Sequence, residues 1–222
     1  MKNHRKNIIN ELKRRIISCQ YKPGSTLDEK KICEEFGISR TPYREALMKL
    51  ETQGLVEINP KKGVTVAGID LTLLKDVFEM RLIIEKIAAQ MAFRRIKAHH
   101  LKALKEVVEK IESLPSTDFP SFLELDAQYH SIILDAQGNQ IMGEILSKLR
   151  EQCIRLWNSI EDEEKIKDLR IASIHDIKKV YEAFVAKDSI GVEKAMHEHF
   201  DAYLRIVVSH LLVGLEYDFA QS

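Results

Sequence analysis

The chain has 222 residues, enough for two small domains, and 45% of them are hydrophobic, which excludes a disordered chain. No run approaches the roughly 18 consecutive apolar residues that span a membrane, and the three cysteines form no CxxC pair, so we expect a cytoplasmic protein with reduced thiols. The net charge is zero, but residues 1–66 hold 14 Lys and Arg against 8 Asp and Glu, and the remainder holds 20 against 26. This asymmetry indicates a module that binds a polyanion, joined to a separate acidic domain.

Three helices are predicted in the first quarter of the chain. Asp28 and Ser39 are typical N-cap residues, and they open the second and third helices. Gly37 and Gly54 are placed to end the same two helices. Apolar residues at helical spacing, together with these flanking residues, place the three helices at about 5–19, 28–35 and 39–53.

A β-hairpin is predicted directly after the third helix. Residues 55–58 and 64–66 alternate between apolar and polar side chains, as strands do, and the turn-forming residues 59–63 lie between them. Three helices followed by a hairpin is the order of a winged helix-turn-helix.

The rest of the chain is helical in its periodicity. Ala67 and Gly68 have the composition of a short linker, and prolines, Gly138 and short polar breaks divide the residues beyond it. The predicted helices lie at about 70–93, 98–113, 120–137, 139–159, 163–187 and 189–214. We therefore predict a mostly α protein, with a winged helix-turn-helix domain at 1–68 and an all-α antiparallel bundle at 69–222.

The third predicted helix carries the candidate DNA-reading residues. Its apolar stripe should pack inward, whereas Arg40, Thr41 and Arg44 lie on another face, close to the helix start. Arginine at such a place can donate two parallel hydrogen bonds to O6 and N7 of guanine. Ser39 and the unpaired N–H groups of the first turn can bind phosphate. The alternative is that these arginines are ordinary solvated charges, which would be the better interpretation of an isolated helix.

The predicted hairpin turn carries Lys61 and Lys62 beside Gly63. Two cations at the tip of a wing suit contact with the DNA backbone or the minor groove.

These residues belong to a longer pattern that closely resembles the GntR family of bacterial repressors. The pattern covers nearly all of residues 5–66 and comprises Pro23–Glu29, Phe36–Leu47, Leu50–Val56 and Lys62–Val66. The resemblance implies DNA contacts by Lys30, Ser39, Arg40, Thr41, Arg44 and Gly63. Pro42 is a common variant at a position where some members carry a contacting hydroxyl, and no contact is assigned to it.

The second half is similar to the FCD-type effector domain of the FadR subfamily. The matching stretches are Phe78–Glu85, Asp126–His130, Gln137–Asn139 and Ala195–His199. The resemblance implies a bundle of six or seven helices that binds a small carboxylate effector and often a divalent metal. It also implies a homodimer, which agrees with the two half-sites of a palindromic operator.

Asp126, His130 and His199 form a candidate metal site. Asp126 and His130 are four residues apart, so both side chains leave one helical face, and their neighbours are apolar. His199 also has apolar neighbours and should face inward. Because buried polar groups need partners, a carboxylate and two imidazoles in a bundle suit a borderline ion such as zinc. The alternative is a buried hydrogen bond between Asp126 and a histidine, without metal.

One position departs from the subfamily's pattern. The resemblance implies a third histidine 22 residues before His199, where this chain has Ile177. His175 lies two residues away, which is about 200° of rotation on a helix, so it should face outward while Ile177 joins the core. We expect a shifted helix or a missing ligand, and therefore a weakened site, an altered metal or none.

Arg81 is the candidate effector-binding residue. It lies on an apolar face near Glu85, so it either pairs with Glu85 or reaches into a pocket, where it could clamp an effector carboxylate. The resemblance favours the pocket. Four other histidines are interpreted as surface residues: His99, His100, His197 and His210.

These features predict a ligand-controlled transcriptional repressor and not an enzyme. Its partners would be a double-stranded DNA operator, a small organic acid and a second copy of the chain. One alternative is a metal-dependent hydrolase with a nucleic-acid-binding head, although no HExxH motif or nucleophile elbow is present. Another is a winged-helix interaction module without DNA specificity, which the salt dependence of DNA affinity would distinguish.

Overall fold

The computed structural model describes residues 2–61, 63–115, 118–160 and 163–211. Within these ranges the chain forms nine helices and one two-stranded sheet, in the order that the sequence predicts. The elements are α1 (Lys2–Ile17), α2 (Glu29–Phe36), α3 (Arg40–Glu51), β1 (Val56–Asn59), β2 (Gly63–Val66), α4 (Leu71–Arg95), α5 (Ala98–Ser113), α6 (Phe119–Gln137), α7 (Gln140–Ser159), α8 (Glu163–Val185) and α9 (Ser189–Leu211). None of the helices that the structure describes has the length and apolar character of a membrane span.

The described residues fall into two compact units. The first unit runs to Asp70 and also includes the part of α7 from Glu151 onward. The second unit contains Leu71–Arg150 and the helices α8 and α9.

The first unit has its core between α1, α2, α3 and the sheet. Ile8, Leu12 and Ile16 on α1 are buried against α3, as their spacing predicts. Asp28 caps α2 as predicted, because its carboxylate accepts the backbone N–H groups of Lys30 and Lys31. Gly37 ends α2 in the left-handed conformation, with φ of 61°. The predicted helix-turn-helix is therefore confirmed, and Asp28 and Gly37 begin and end α2 as predicted.

The sheet is a hairpin in which β1 and β2 are antiparallel, with Val56 opposite Val66 and Asn59 opposite Gly63. The segment before α2 pairs with β2, since the N–H of Leu27 donates to the carbonyl of Val64 at 2.8 Å. The N–H of Ile58 donates to the Glu51 carboxylate at 3.2 Å, which ties β1 to the end of α3. The predicted wing is thus held on two sides.

The last turns of α7 belong to the first unit through polar contacts. Arg155 is buried and its guanidinium donates to the backbone oxygen of Ala67. Asn158 donates to the backbone oxygen of Ile17 at 3.0 Å. Lys13 forms an ion pair with Glu151 at 2.6 Å. Ala67, which the composition places in a linker, is itself buried.

The second unit is a helical bundle whose core residues come from α4, α5, α6, α8 and α9. Its largest fully buried side chains include Leu104, Tyr129, Ile133 and Phe184. The Gln137–Asn139 stretch forms the turn between α6 and α7: the Gln137 side chain accepts the Asn139 N–H at 2.8 Å and donates to the Asn139 carbonyl. Arg95 donates to the Gln137 carbonyl. This motif therefore serves the fold of the bundle.

Candidate nucleic-acid interface and buried polar cluster

The recognition helix α3 separates an apolar face from a charged one. Tyr43, Leu47 and Leu50 are at most 2% exposed and pack into the first unit. Arg40 and Arg44 have 77% and 66% of their side chains exposed. Thr41 is exposed as well. The helix start thus presents two guanidinium groups and a hydroxyl to solvent, as its periodicity predicts.

Glu29, the first residue of α2, contacts both of these arginines. Its carboxylate lies 3.0 Å from Nε of Arg40 and 3.6 Å from Nη2 of Arg44. One acid therefore bridges the two candidate base-reading side chains. Nothing in the sequence indicates this role, because an acidic residue in the first turn of a helix ordinarily compensates the helix dipole.

Ser39 and Lys30 flank this charged face. Ser39 is the N-cap of α3 in extended conformation, but its side chain makes no capping hydrogen bond. Its hydroxyl and the first-turn N–H groups remain suited to a phosphate. Lys30 is exposed in the first turn of α2.

The wing tip holds the remaining candidate DNA contacts. Lys61 is exposed, and its N–H donates to the side chain of Asn59 at 2.9 Å, which shapes the turn. Gly63 has φ of 88°, a conformation that residues with a side chain rarely adopt. Lys62 lies outside the described residues.

Asp126, His130 and His199 converge in the second unit, and one ligand atom from each lies within 4.8 Å of the others. Asp126 and His130 come from α6 and His199 comes from α9. Oδ1 of Asp126 is 3.6 Å from Nε2 of His130, and the two imidazole rings are 5.7 Å apart. The Nδ1 atom of His199 is buried without a hydrogen-bond partner among the described residues. The three predicted donors therefore do meet inside the bundle.

Arg150 on α7 is a fourth member of this group, and sequence reasoning missed it. Its Nη2 donates to Oδ2 of Asp126 at 3.0 Å. Arg150 has apolar residues at the helical spacings on either side, such as Leu146 and Cys153, and this pattern was the available signal that it faces inward.

The electrostatics fix the charge of these groups. Burial alone would raise the pKa of Asp126, but His130 and the Arg150 guanidinium hold it well below its ordinary value. Burial and the Arg150 cation lower the pKa of His130. Burial, reinforced by His130, lowers the pKa of His199 to about 3. At neutral pH the carboxylate is therefore ionised and both imidazoles are neutral, which is the protonation state that metal ligands need.

Arg81 and Glu85 form a second buried ion pair, with Nη2 and Oε1 3.0 Å apart. The Arg81 guanidinium also lies over the ring of Phe200, 4.6 Å from its centroid. Burial would raise the pKa of Glu85, but Arg81, His130 and Arg150 lower it. We call Arg81, Glu85, Asp126, His130, Arg150 and His199 the buried polar cluster.

Ile177 and His175 lie as the sequence predicts. Ile177 is fully buried in the core of the second unit, and His175 is exposed. Helix α8 has therefore kept its register, and the position where the resemblance implies a third histidine carries an apolar side chain.

His100 is a correction to the sequence interpretation, which placed it on the surface. It is 7% exposed, its Nδ1 accepts the N–H of Lys97 at 3.1 Å, and its Nε2 bonds Asp135 at 3.0 Å. It caps the start of α5, a role that helical periodicity does not reveal. His99 and His197 are exposed as predicted, and the side chain of His210 lies outside the described residues.

The donors fit a divalent ion in kind, although not in number. A carboxylate and two neutral imidazoles are ligands that zinc prefers, and the unpartnered Nδ1 of His199 offers a coordinating atom. The fourth protein ligand is absent at Ile177, and the Asp126 carboxylate already has a cationic partner. The arrangement therefore favours weak binding.

Two family models match the two parts of the chain. The model of the bacterial regulatory proteins of the gntR family matches residues 4–66, and that of the FCD domain matches residues 76–202. The chain belongs to the GntR family. Its second half is an FCD domain, as the motifs around Asp126 and His199 predicted.

Relatives and solved structures agree with this assignment. The HTH-type transcriptional repressor RspR of Escherichia coli is 26% identical over 85% of this chain and 82% of that protein. The gluconate operon transcriptional repressor of Bacillus subtilis is 26% identical over 86% of this chain and 79% of its own. The fold is similar to that of E. coli McbR/YncC, with a TM-score of 0.78 at 21% identity, covering 93% and 97% of the two chains.

The chain is therefore a DNA-binding transcriptional regulator and not an enzyme. The prediction of a winged helix-turn-helix followed by a helical domain is confirmed. The alternative of a metal-dependent hydrolase finds no support in the family or in these relatives.

Proposed function

We propose that this regulator represses transcription by binding a pseudo-palindromic operator as a homodimer, and that a small carboxylate effector controls its affinity. The observation that carries the proposal is the exposed face of α3, where Arg40, Thr41 and Arg44 project from a helix start. In this proposal the two arginines read guanines in the major groove. The sugar-phosphate backbone of the DNA is contacted by Lys30, Ser39, Lys61, Lys62 and Gly63. The protein acts in the cytoplasm, where bacterial operators lie.

A gel-shift assay on duplexes selected by the wild-type protein from a random library tests the DNA-reading role. Arg40→Ala with Arg44→Ala should weaken specific binding at least about 30-fold, because each bidentate contact contributes about 1–3 kcal/mol. Arg94→Ala, at an exposed arginine of α4, is the matched control and should leave binding unchanged. Unchanged sequence-specific binding by the double variant would refute the assignment.

The homodimer is supported by an apolar stripe on α4. Leu73, Met80, Ile83 and Ile87 recur at spacings of seven, three and four residues, so they share one helical face, and all are between 44% and 57% exposed. A monomer gains nothing from such a stripe, and a second copy would cover it.

Sedimentation of Ile83→Glu should show monomers. Val185→Glu, at an exposed apolar residue of α8, should leave the dimer intact. A dimer that survives Ile83→Glu would reject this surface.

The effector would bind at Arg81, since guanidinium is the preferred partner of a carboxylate. Because Arg81 forms an ion pair with Glu85 in the structure, the effector must displace Glu85 or bind Arg81 together with it. An effector that binds one state of the protein better shifts the placement of the DNA-binding units. The effector can be identified by measuring the melting temperature of the protein with each of a panel of small organic acids. Stabilisation that persists in Arg81→Met would remove Arg81 from the effector site.

Asp126, His130 and His199 would hold a divalent metal such as zinc, with the weak affinity that three protein ligands and a cationic neighbour give. A bound zinc ion would supply a Lewis-acid centre for an anionic oxygen of the effector. Elemental analysis of protein purified without chelator tests the site. No bound metal, even after zinc is added, would overturn this part of the proposal.

A further inference from the structure

Arg150 is placed in the interior of the second unit at the carboxylate that a metal ion would need. Its side chain is 9% exposed, and Nη2 lies 3.0 Å from Oδ2 of Asp126, whose side chain is 20% exposed. The pair joins α7 to α6 across 24 positions of sequence. A guanidinium held this deeply keeps its positive charge next to the imidazoles of His130 and His199, because arginine does not deprotonate in proteins.

The charges of the buried polar cluster are already balanced. Glu85 and Asp126 supply two negative charges, and their partners Arg81 and Arg150 supply two positive ones. A divalent ion on the Asp126–His130–His199 donors would add two positive charges beside a fixed cation in a poorly hydrated interior. Such repulsion is strong where water does not screen it.

We infer that Arg150 takes the charge-balancing place of a metal ion at Asp126, and so determines how weakly the cluster holds a divalent cation. The inference rests on the proposed metal donors. Ile177 also favours weak metal binding, because the position that the resemblance assigns to a third histidine is apolar and fully buried. The chain therefore has an apolar residue where the resemblance implies a further ligand, and a buried cation on the Asp126 carboxylate.

A second role for Arg150 predicts the opposite effect. A hydrogen bond to Oδ2 would orient the carboxylate so that Oδ1 faces the imidazoles, and partners of this kind strengthen metal binding by about 10- to 100-fold. Removing the guanidinium would then weaken binding. The sign of the change on substitution separates the two roles.

The experiment is a titration of the full-length protein with Co²⁺ alone, followed by visible d–d absorption and by calorimetry. Arg150→Gln removes the charge and keeps an N–H donor, so it should bind Co²⁺ at least about tenfold more tightly than the wild type. Arg150→Lys keeps the charge and should bind as weakly as the wild type. Equal affinity of wild type and Arg150→Gln, or weaker binding by Arg150→Gln, overturns the inference.

The failures of the two proposals are distinguishable. Tight binding by Arg150→Gln with none by the wild type supports Arg150 and removes the metal from the native protein. Equal binding by both supports the metal and rejects Arg150. Absence of binding by both rejects both. Circular dichroism confirms folding of each variant, and Arg150→Met, which retains the apolar length of the side chain, replaces Arg150→Gln if that variant does not fold.

Discussion

Two pairs of arginines, one pair in each unit, differ in their exposure to solvent. In the first unit Arg40 and Arg44 are exposed, and a single acid, Glu29, bridges them. In the second unit Arg81 and Arg150 are buried, and each has an acid of its own. The same side chain is thus held loosely where it is to meet DNA and tightly where it lies in the bundle.

The arginines of the two regions can therefore exchange their partners at different cost. An exposed ion pair contributes little to stability, so Arg40 can leave Glu29 for a base or a phosphate at small cost. Removing the acid from a buried ion pair leaves an uncompensated charge, so Arg81 can exchange Glu85 at low cost only for another anion. In the function proposed above, the buried region would therefore select ligands by charge, whereas the exposed one would select DNA by the geometry of its hydrogen bonds.

The largest effect should come from breaking a buried pair. Glu85→Gln leaves the Arg81 guanidinium without a balancing charge, and we expect it to lower the free energy of unfolding by about 3–5 kcal/mol. Urea denaturation followed by far-ultraviolet circular dichroism measures this loss. Arg81→Met combined with Glu85→Leu removes both charges and should recover much of it. If Glu85→Gln is as stable as the wild type, water must reach Arg81 and screen its charge, and the pair is then not buried in the sense used here.

Arg155 is a buried arginine of the first unit. It donates to the backbone oxygen of Ala67, and among the described residues no carboxylate lies within ion-pair distance of it. Arg155→Met should destabilise the first unit by about 1–3 kcal/mol, because the Ala67 carbonyl loses its donor. The fluorescence of Trp157, the single tryptophan, reports on this unit. Arg94→Met is the exposed control, and an equal effect of both changes would contradict the role of Arg155.

Sequence reasoning reached most of the fold and the exposed residues of the candidate DNA interface. Apolar periodicity predicted all nine described helices, and cap residues or breaks in the chain marked most of their ends. The same reasoning placed Ile177 in the core and His175 on the surface. These are local properties, and a single helix is enough to determine them.

Contacts between side chains of different helices could not be predicted in this way. The pairing of Arg150 with Asp126, and of Arg40 with Glu29, depends on how helices pack, which no single helix encodes. The capping role of His100 needs the backbone geometry before α5. For Arg81 the sequence left two interpretations open. The structure shows the pair with Glu85, and effector binding stays a proposal.

The turn at Gly37 holds α2, and with it Glu29, in place beside α3. A Cβ at this residue would meet nothing within 4 Å, so its φ of 61° alone makes substitution costly. Gly37→Ala should therefore lower the free energy of unfolding by about 1 kcal/mol. Gly143→Ala, inside α7, is the matched control and should stabilise by about 0.5–1 kcal/mol. Thermal unfolding distinguishes these opposite signs, and destabilisation by both would contradict a purely conformational cost at Gly37.

The smallest effect on stability should come from Glu29. Glu29→Gln removes the acid that bridges Arg40 and Arg44, and because the pairs are exposed we expect the free energy of unfolding to change by less than about 1 kcal/mol. DNA binding should respond more, since one negative charge leaves the recognition surface and affinity for random-sequence duplex rises. Titrations at several salt concentrations measure this rise, with Glu106→Gln, an exposed acid of α5, as the control. A loss of several kcal/mol in Glu29→Gln would show that the exposed pairs support the fold, and the contrast between the two regions would then not hold.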